Sequence, residues 1–253
     1  MGAVFLKSDA EIDEMGLSCK LAAQTLDFIE PYIKPGVNTL ELNELCHDFI
    51  IKNGAIPAPL NYKGFPKSIC TSINNVICHG IPKAKDILKD GDIINVDITT
   101  ILHGWHGDTS RTFLVGNVKP DAKKLVKCAE DCLYKGIQAV YAGGRIGDIG
   151  AAIQAHAESQ GYSVVREFVG HGIGKIFHED PQVAHFGAKG KGERIVPGMT
   201  FTIEPMINAG NWKSKVKNDG WTAVTVDNSW SAQFEHTIAI RSNGEVQILT
   251  TSK

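Results

Sequence analysis

No stretch of this sequence approaches the roughly 18 consecutive apolar residues of a membrane helix, so no membrane span is expected. A secretory signal is missing too: the apolar run before Lys7 is short, and Asp9 and Glu11 follow at once. Leu6 stands where a myristoylation signal needs Ser or Thr. Charge of one sign is not in excess either. The 26 basic and 28 acidic residues leave a formal charge of −2, which argues against broad non-specific nucleic-acid binding. The six cysteines (Cys19, Cys46, Cys70, Cys78, Cys128 and Cys132) contain no C-x-x-C pair, and a chain of this length needs no disulfide staples. Cys128 and Cys132, four apart on a predicted helix, read as two small buried side chains rather than a metal site. The expectation is a reduced, cytoplasmic protein. With 43% apolar and 21% charged residues, general disorder and a collagen-like fibre are excluded.

The 253 residues allow one large domain or two small ones. Ser8 and Glu11 have capping-box spacing, and Ile12, Met15, Cys19, Ala22, Leu26 and Ile29 follow at helical intervals until Pro35-Gly36. Thr39 is the predicted N-cap of a second helix, which Asn53-Gly54 stops. Residues from about Ile56 to Val118 are β-rich. The pattern then restarts: helices are predicted over Asp121–Tyr141 and Asp148–Gln160, followed by β-rich sequence to about Leu249. Gly54 precedes Asp97 by 43 residues, and Gly161 precedes Glu204 by the same 43. Gly91 and Gly198 each lie six residues before those acids, and Leu88 and Ile195 share one slot at an offset of 107. Two repeated halves, about residues 1–118 and 119–253, are therefore expected to form a single pseudo-twofold domain, with an acid from each half meeting near the axis.

The acids themselves sit oddly for strand residues. Period-two alternation places Ile94, Val96 and Ile98 on one face and Asn95, Asp97 and Thr99 on the other. Phe201-Thr202-Ile203-Glu204 likewise puts Glu204 with a threonine on the polar face. Asp is depleted in strand interiors, and a buried unpaired carboxylate is costly. A solvated outer face is the alternative for either strand alone. Asp108 lies 11 residues beyond Asp97 across a predicted hairpin, and Glu235 lies 31 beyond Glu204. Four clustered carboxylates cannot all stay ionised without a compensating charge, and divalent cations with O/N ligands supply one. His171 in Gly170-His171-Gly172-Ile173-Gly174 is a candidate nitrogen ligand, its flanking glycines permitting close backbone approach. The spacing matches no dinucleotide or P-loop fingerprint, and His178-Glu179 begins no H-E-x-x-H zinc motif. His103 and His106 read as exposed or structural.

In order and spacing, Asp97, Asp108, His171, Glu204 and Glu235 resemble the five metal ligands of the methionine aminopeptidases. The resemblance spans nearly the whole chain. It includes Asn61-Tyr62-Lys63-Gly64-Phe65-Pro66-Lys67-Ser68-Ile69-Cys70, Cys78-His79-Gly80-Ile81-Pro82 and Ser231-Ala232-Gln233-Phe234-Glu235-His236-Thr237. It implies the "pita-bread" α/β (α+β) fold, a pseudo-twofold arrangement with a central curved antiparallel sheet backed by helices. The short Glu204–Glu235 separation and the absence of an N-terminal extension resemble the bacterial type I branch. Asn75, Phe234 and Pro59 depart from residues common in relatives: Glu, Tyr and a pocket Cys respectively.

The resemblance implies a metal-dependent aminopeptidase that removes N-terminal methionine from nascent proteins and peptides with a small second residue. It implies two divalent ions (cobalt, manganese, iron or zinc) held by the five ligands, with attack by a hydroxide bridging them. Glu204 would shuttle the proton, His178 would stabilise the oxyanion and His79 would lie near the scissile nitrogen. Tyr62, Phe65, Cys70, Phe177, Met206 and Trp221 are the candidate methionine pocket. A monomer is expected, and Lys213, Lys215 and Lys217 beside Trp212 are either a solvated loop or a transient contact with the ribosome. Two rivals remain: a proline-specific aminopeptidase or prolidase, and a non-catalytic binding protein on the same fold.

Overall fold

Ser8 caps α1 (Asp9–Ile29) as its spacing to Glu11 predicts, each residue's side chain accepting from the other's backbone N–H. The computed structural model describes residues 4–252; residues 1–3 of the opening run and residue 253 lie outside the described residues. α1 ends earlier than Pro35-Gly36, because Pro31 sits in a 3₁₀ turn (Glu30–Tyr32) and has no N–H to continue the ladder. α2 (Thr39–Lys52) is capped by Asn38, not Thr39: Asn38 Oδ1 accepts from Glu41 N at 3.0 Å, and Thr39 becomes the first helical residue. Thr39 Oγ1 instead donates to Lys83 O at 3.1 Å. α3 (Pro120–Gln138) stops three residues before Tyr141. α4 (Ile146–Ser159) starts before Asp148, whose side chain reaches back to accept from Arg145 N at 2.9 Å.

In the first half, strands Ile93–Leu102 and Trp105–Leu114 form a hairpin turned by His103 (φ 52°) and Gly104 (φ 81°), the positive pair that a two-residue turn between twisted strands requires. Ile56–Pro57 and Cys70–Ile73 pair with the free edge of the first of these. In the second half, five antiparallel strands run in the order Val246–Ile248, His236–Ile240, Thr200–Ile203, Gly170–Gly172, Glu179–Val183. Two three-stranded sheets complete the molecule. Among the described residues the antiparallel strands form four hydrogen-bonded sheets. One break has a clear cause: Pro205 cannot donate to a ladder, so Thr200–Ile203 and Met206–Asn208 belong to different sheets.

A seam joins the two larger sheets. Glu235 N donates to Ser110 O at 3.0 Å, and Thr109 Oγ1 returns a 2.7 Å bond to Glu235 O. Thr237 Oγ1 donates to Asp108 O and Thr112 Oγ1 to Gln233 O, both at 2.7 Å. Helices cover the outer faces. Leu26, Leu42, Cys46 and Ile50 of α1 and α2 pack on Ile94, Val96 and Ile98, the apolar face that alternation predicts. Leu125, Ala129, Ile149 and Ile153 of α3 and α4 pack on Phe201, Ile203 and Ile238. Ile12, Met15 and Cys19 of α1 also join Trp105, Ile173 and Ala239, tying that helix to both halves. At Gly107 a Cβ would enter the backbone of Cys19, so the glycine lets α1 lie directly on the strand that carries Asp108. Among the described residues no helix is long and apolar enough to cross a membrane.

Candidate metal centre

With the hydrophobic alternation committed to the helices, the opposite face of the hairpin turns its polar side chains inward. Asp97 pairs with Ser110 and Thr99 with Asp108, so Asp97 and Asp108 are diagonal neighbours on one face. Glu235 arrives from the other half through the seam, and carboxylate oxygens of Asp97, Asp108 and Glu235 lie within 4.8 Å of one another. Glu204 follows the end of its strand. Its Oε1 accepts from Thr202 Oγ1 at 2.7 Å, its Oε2 from Gln233 Nε2 at 3.2 Å, and its backbone N–H donates to His185 Nε2. Thr99 Oγ1 donates to Asp108 Oδ1 at 2.7 Å.

His171 completes the cluster. The glycines on either side are required: a Cβ at Gly170 would enter Thr202 O, and one at Gly172 would enter Asp180 O. Its Nδ1 donates to Gly172 O at 2.9 Å, which leaves the Nε2 lone pair facing Asp108 Oδ2 at 3.6 Å and Glu204 Oε1 at 3.8 Å. Burial pushes this imidazole down to about 4, so it is neutral and able to ligate at pH 7.

The carboxylates are strained electrostatically. Burial raises Asp97 to about 7 and Glu204 to about 8, the Asp97 charge adding to the Glu204 shift. Asp108 and Glu235 are raised well above the usual range, first by burial and then by their carboxylate neighbours. Asp97 Oδ1 is buried without any hydrogen-bond partner. An orphaned oxygen, three converging carboxylates and a neutral imidazole whose free nitrogen faces two of the four acids form an O/N donor set that fits divalent cations.

Every residue expected at the site lines one cavity of about 360 Å³: Asp97, Asp108, His171, Glu204, Glu235, His79, His178, Tyr62, Phe65, Cys70, Phe177, Met206 and Trp221, with Pro59 among them. His79 adopts a left-handed backbone (φ 55°) that turns its ring into the cleft, edge-on to Phe168 and Trp221. His178 stands at the mouth, packed against His171, Phe177 and Tyr62. Burial, reinforced by His171, pushes it down to about 3, and its Nδ1 lies 3.0 Å from Tyr62 Oη. A tyrosine hydroxyl donating to Nδ1 would leave the proton of the neutral ring on Nε2. Of the two histidines in the hairpin, His103 is exposed in the turn and His106 is buried, its Nδ1 3.0 Å from Gly174 O.

Sequence reasoning did not assign the orienting groups Gln233 and His185, nor the cavity-lining Glu167, Phe168 and Val169. Gln233 lies two residues from Glu235 and so on its face of the chain, a signal that could have found it. His185 is recruited from a loop and left no local signature.

Four carboxylates and an imidazole line one cavity, a donor set suited to metal-dependent hydrolysis. The sequence pattern of metallopeptidase family M24 matches residues 13–242. The chain is 60% identical over 247 residues to methionine aminopeptidase A of Synechocystis sp., covering 98% of this chain and 97% of that one. It superposes on the crystal structure of methionine aminopeptidase from Rickettsia prowazekii with a TM-score of 0.96 at 52% identity, covering 98% of this chain and 100% of that one. Prolidase from Pyrococcus furiosus shares the fold at 18% identity and a TM-score of 0.76, with 98% of this chain covering 66% of that one. The chain belongs to metallopeptidase family M24 and, within it, to the methionine aminopeptidases.

Proposed function

We propose that the protein removes the N-terminal methionine from peptides and nascent proteins whose second residue is small. The observation that carries this reading is one cavity whose floor is the acid–imidazole cluster and whose walls are Tyr62, Phe65, Cys70, Phe177, Met206 and Trp221. Asp97, Asp108, His171, Glu204 and Glu235 would hold two divalent ions, cobalt, manganese, iron or zinc, which when bound supply a nucleophile at neutral pH and an anchor for the free α-amine. Glu204 accepts a proton at its carboxylate and returns it to the leaving amine; Thr202 and Gln233 hold both of its oxygens in place. His178 donates from Nε2 to the developing oxyanion, and His79 lies near the scissile nitrogen. The unbranched thioether fits the aromatic-walled slot, where each sulfur–ring contact contributes about 0.3–1.5 kcal/mol.

The two halves act as one catalytic domain of repeated units in this reading, since each contributes ligands. The protein would work as a monomer in the cytoplasm. Exposed Lys213, Lys215 and Lys217, on and beside the Ser214–Val216 strand, would contact the ribosome transiently where chains emerge.

A peptide panel with added metal tests the assignment. Met-Gly and Met-Ala peptides are cleaved, Met-Lys and Met-Phe peptides are not, and Leu or charged first residues are refused. Equal cleavage of Met-Gly and Met-Lys overturns the steric argument. Cleavage of X-Pro peptides lacking methionine moves the protein to the proline-specific rival, and no cleavage with full metal content moves it to the binding rival.

A further inference from the structure

α3 and α4 approach closely at Gly136, where a Cβ would meet Ile153 Cδ1 at 2.7 Å. Cys128, Cys132 and Gly136 recur at four-residue intervals, so they line the single face of α3 that meets α4. On α4, His156 follows Ile153 by three residues and projects from the same face. The close approach brings Cys128 Sγ, Cys132 Sγ and a His156 ring nitrogen within 4.8 Å of one another. Both thiols are free and buried, and Cys132 Sγ contacts Ile153 O at 3.8 Å. His156 is only half buried, which leaves the cluster open to solvent on one side. None of the three residues lines the catalytic cavity.

We propose that Cys128, Cys132 and His156 form a second metal site, separate from the cleft and selective for a thiophilic ion such as zinc(II). Two sulfurs and one imidazole are a soft donor set, whereas the cleft offers four carboxylates and one imidazole. Three protein ligands and a water from the open side satisfy tetrahedral coordination. Each thiol releases its proton to solvent as the ion binds. The bound ion would clasp α3 to α4 behind the sheet that carries His171 and Glu204.

Cobalt(II) titration of the full-length protein is the direct test, because a thiolate ligand adds a near-ultraviolet charge-transfer band that carboxylate and imidazole ligands lack. We expect that band in the parent protein, its abolition by one equivalent of zinc, and its absence from a Cys128→Ser, Cys132→Ser variant that still cleaves Met-Gly peptides. His156→Ala should weaken zinc binding by at least the roughly 10–100-fold lost when a hydrogen-bond partner of a metal ligand is removed. A band that persists in the double serine variant, or none in the parent, overturns the site. Alkylation of the parent protein provides a check that no variant's folding can confuse: zinc should protect Cys128 and Cys132 selectively in peptide mass maps, and equal labelling with and without zinc overturns the proposal.

Discussion

His178 illustrates how much of a side chain's chemistry comes from its neighbours. An isolated histidine titrates near 6.5 and would be partly charged at neutral pH. Packed against His171, Phe177 and Tyr62, it falls to about 3 and is neutral at pH 7. Removing such an oxyanion donor typically costs about 10²–10³ in turnover, roughly 2.7–4 kcal/mol. His178→Ala is therefore expected to lower kcat by that factor with metal content unchanged, as measured by steady-state kinetics and elemental analysis of the same preparation. Loss of metal in the variant would make His178 a ligand instead. Alternation marked Asp97 and Glu204 as unusual strand residues, and Asp108 followed from its spacing to Asp97 across the hairpin. That Asp97 Oδ1 has no partner at all emerges only when the surrounding oxygens are in place.

Among the elements, the turn that follows the basic strand carries a titratable latch. Asp219 Oδ1 accepts from Trp221 N and Thr222 N at 3.1 and 2.9 Å, and Oδ2 accepts from Thr222 Oγ1 at 2.7 Å. These bonds present Trp221 edge-on to Phe65 in the cavity wall. Burial pushes the Asp219 carboxyl up, but the bonds from Thr222 and Trp221 outweigh it and hold the group at about 2, below its ordinary 3.8. A depressed pKa contributes stability above about pH 4, and that contribution is lost as pH falls from about 4 to 2. The ¹⁹F resonance of Trp221 in fluorotryptophan-labelled protein should therefore shift within that window. Asp219→Asn, which cannot carry the charge, should abolish the transition and raise KM for Met peptides at neutral pH. A Trp221 resonance that is flat from pH 5 to 2 would show that Asp219 does not govern the turn.

For the molecule as a whole, the candidate metal ligands are divided: Asp97 and Asp108 lie before α3, and His171, Glu204 and Glu235 after it. Cation binding there would therefore tie the segments before and after α3 together as well as neutralise the cluster. An ion at about 100 times its Kd adds about 2.7 kcal/mol per site, and for a chain of this size each kcal/mol moves Tm by about 2–4 °C. Chelation should lower the calorimetric Tm by about 5–10 °C for each site emptied, with recovery on adding back manganese or cobalt. Asp97→Ala should lose most of that metal-dependent increment along with activity. A Tm indifferent to chelator in the parent protein would show that the cluster is not a metal centre.

Periodicity, caps and turn residues were enough to place four helices, the central hairpin and the equal spacing of Asp97 and Glu204 from Gly54 and Gly161. These are local consequences of side-chain size, backbone φ and hydrogen bonding within a few residues. Helix boundaries were less secure, because Asn38 and Thr39 are both capping residues and only the fit to Glu41 N chooses between them. The motif residues marked the site, yet their assembly depended on contacts remote in sequence. The 108–112 and 233–237 segments meet more than 120 residues apart, held by threonine hydroxyls that no local pattern distinguishes from solvated ones. His185 under Glu204, and His156 beside Cys128 and Cys132, were invisible for the same reason. Which polar groups share one small volume depends on how the helices and sheets pack, and their sequence spacing carries no trace of it.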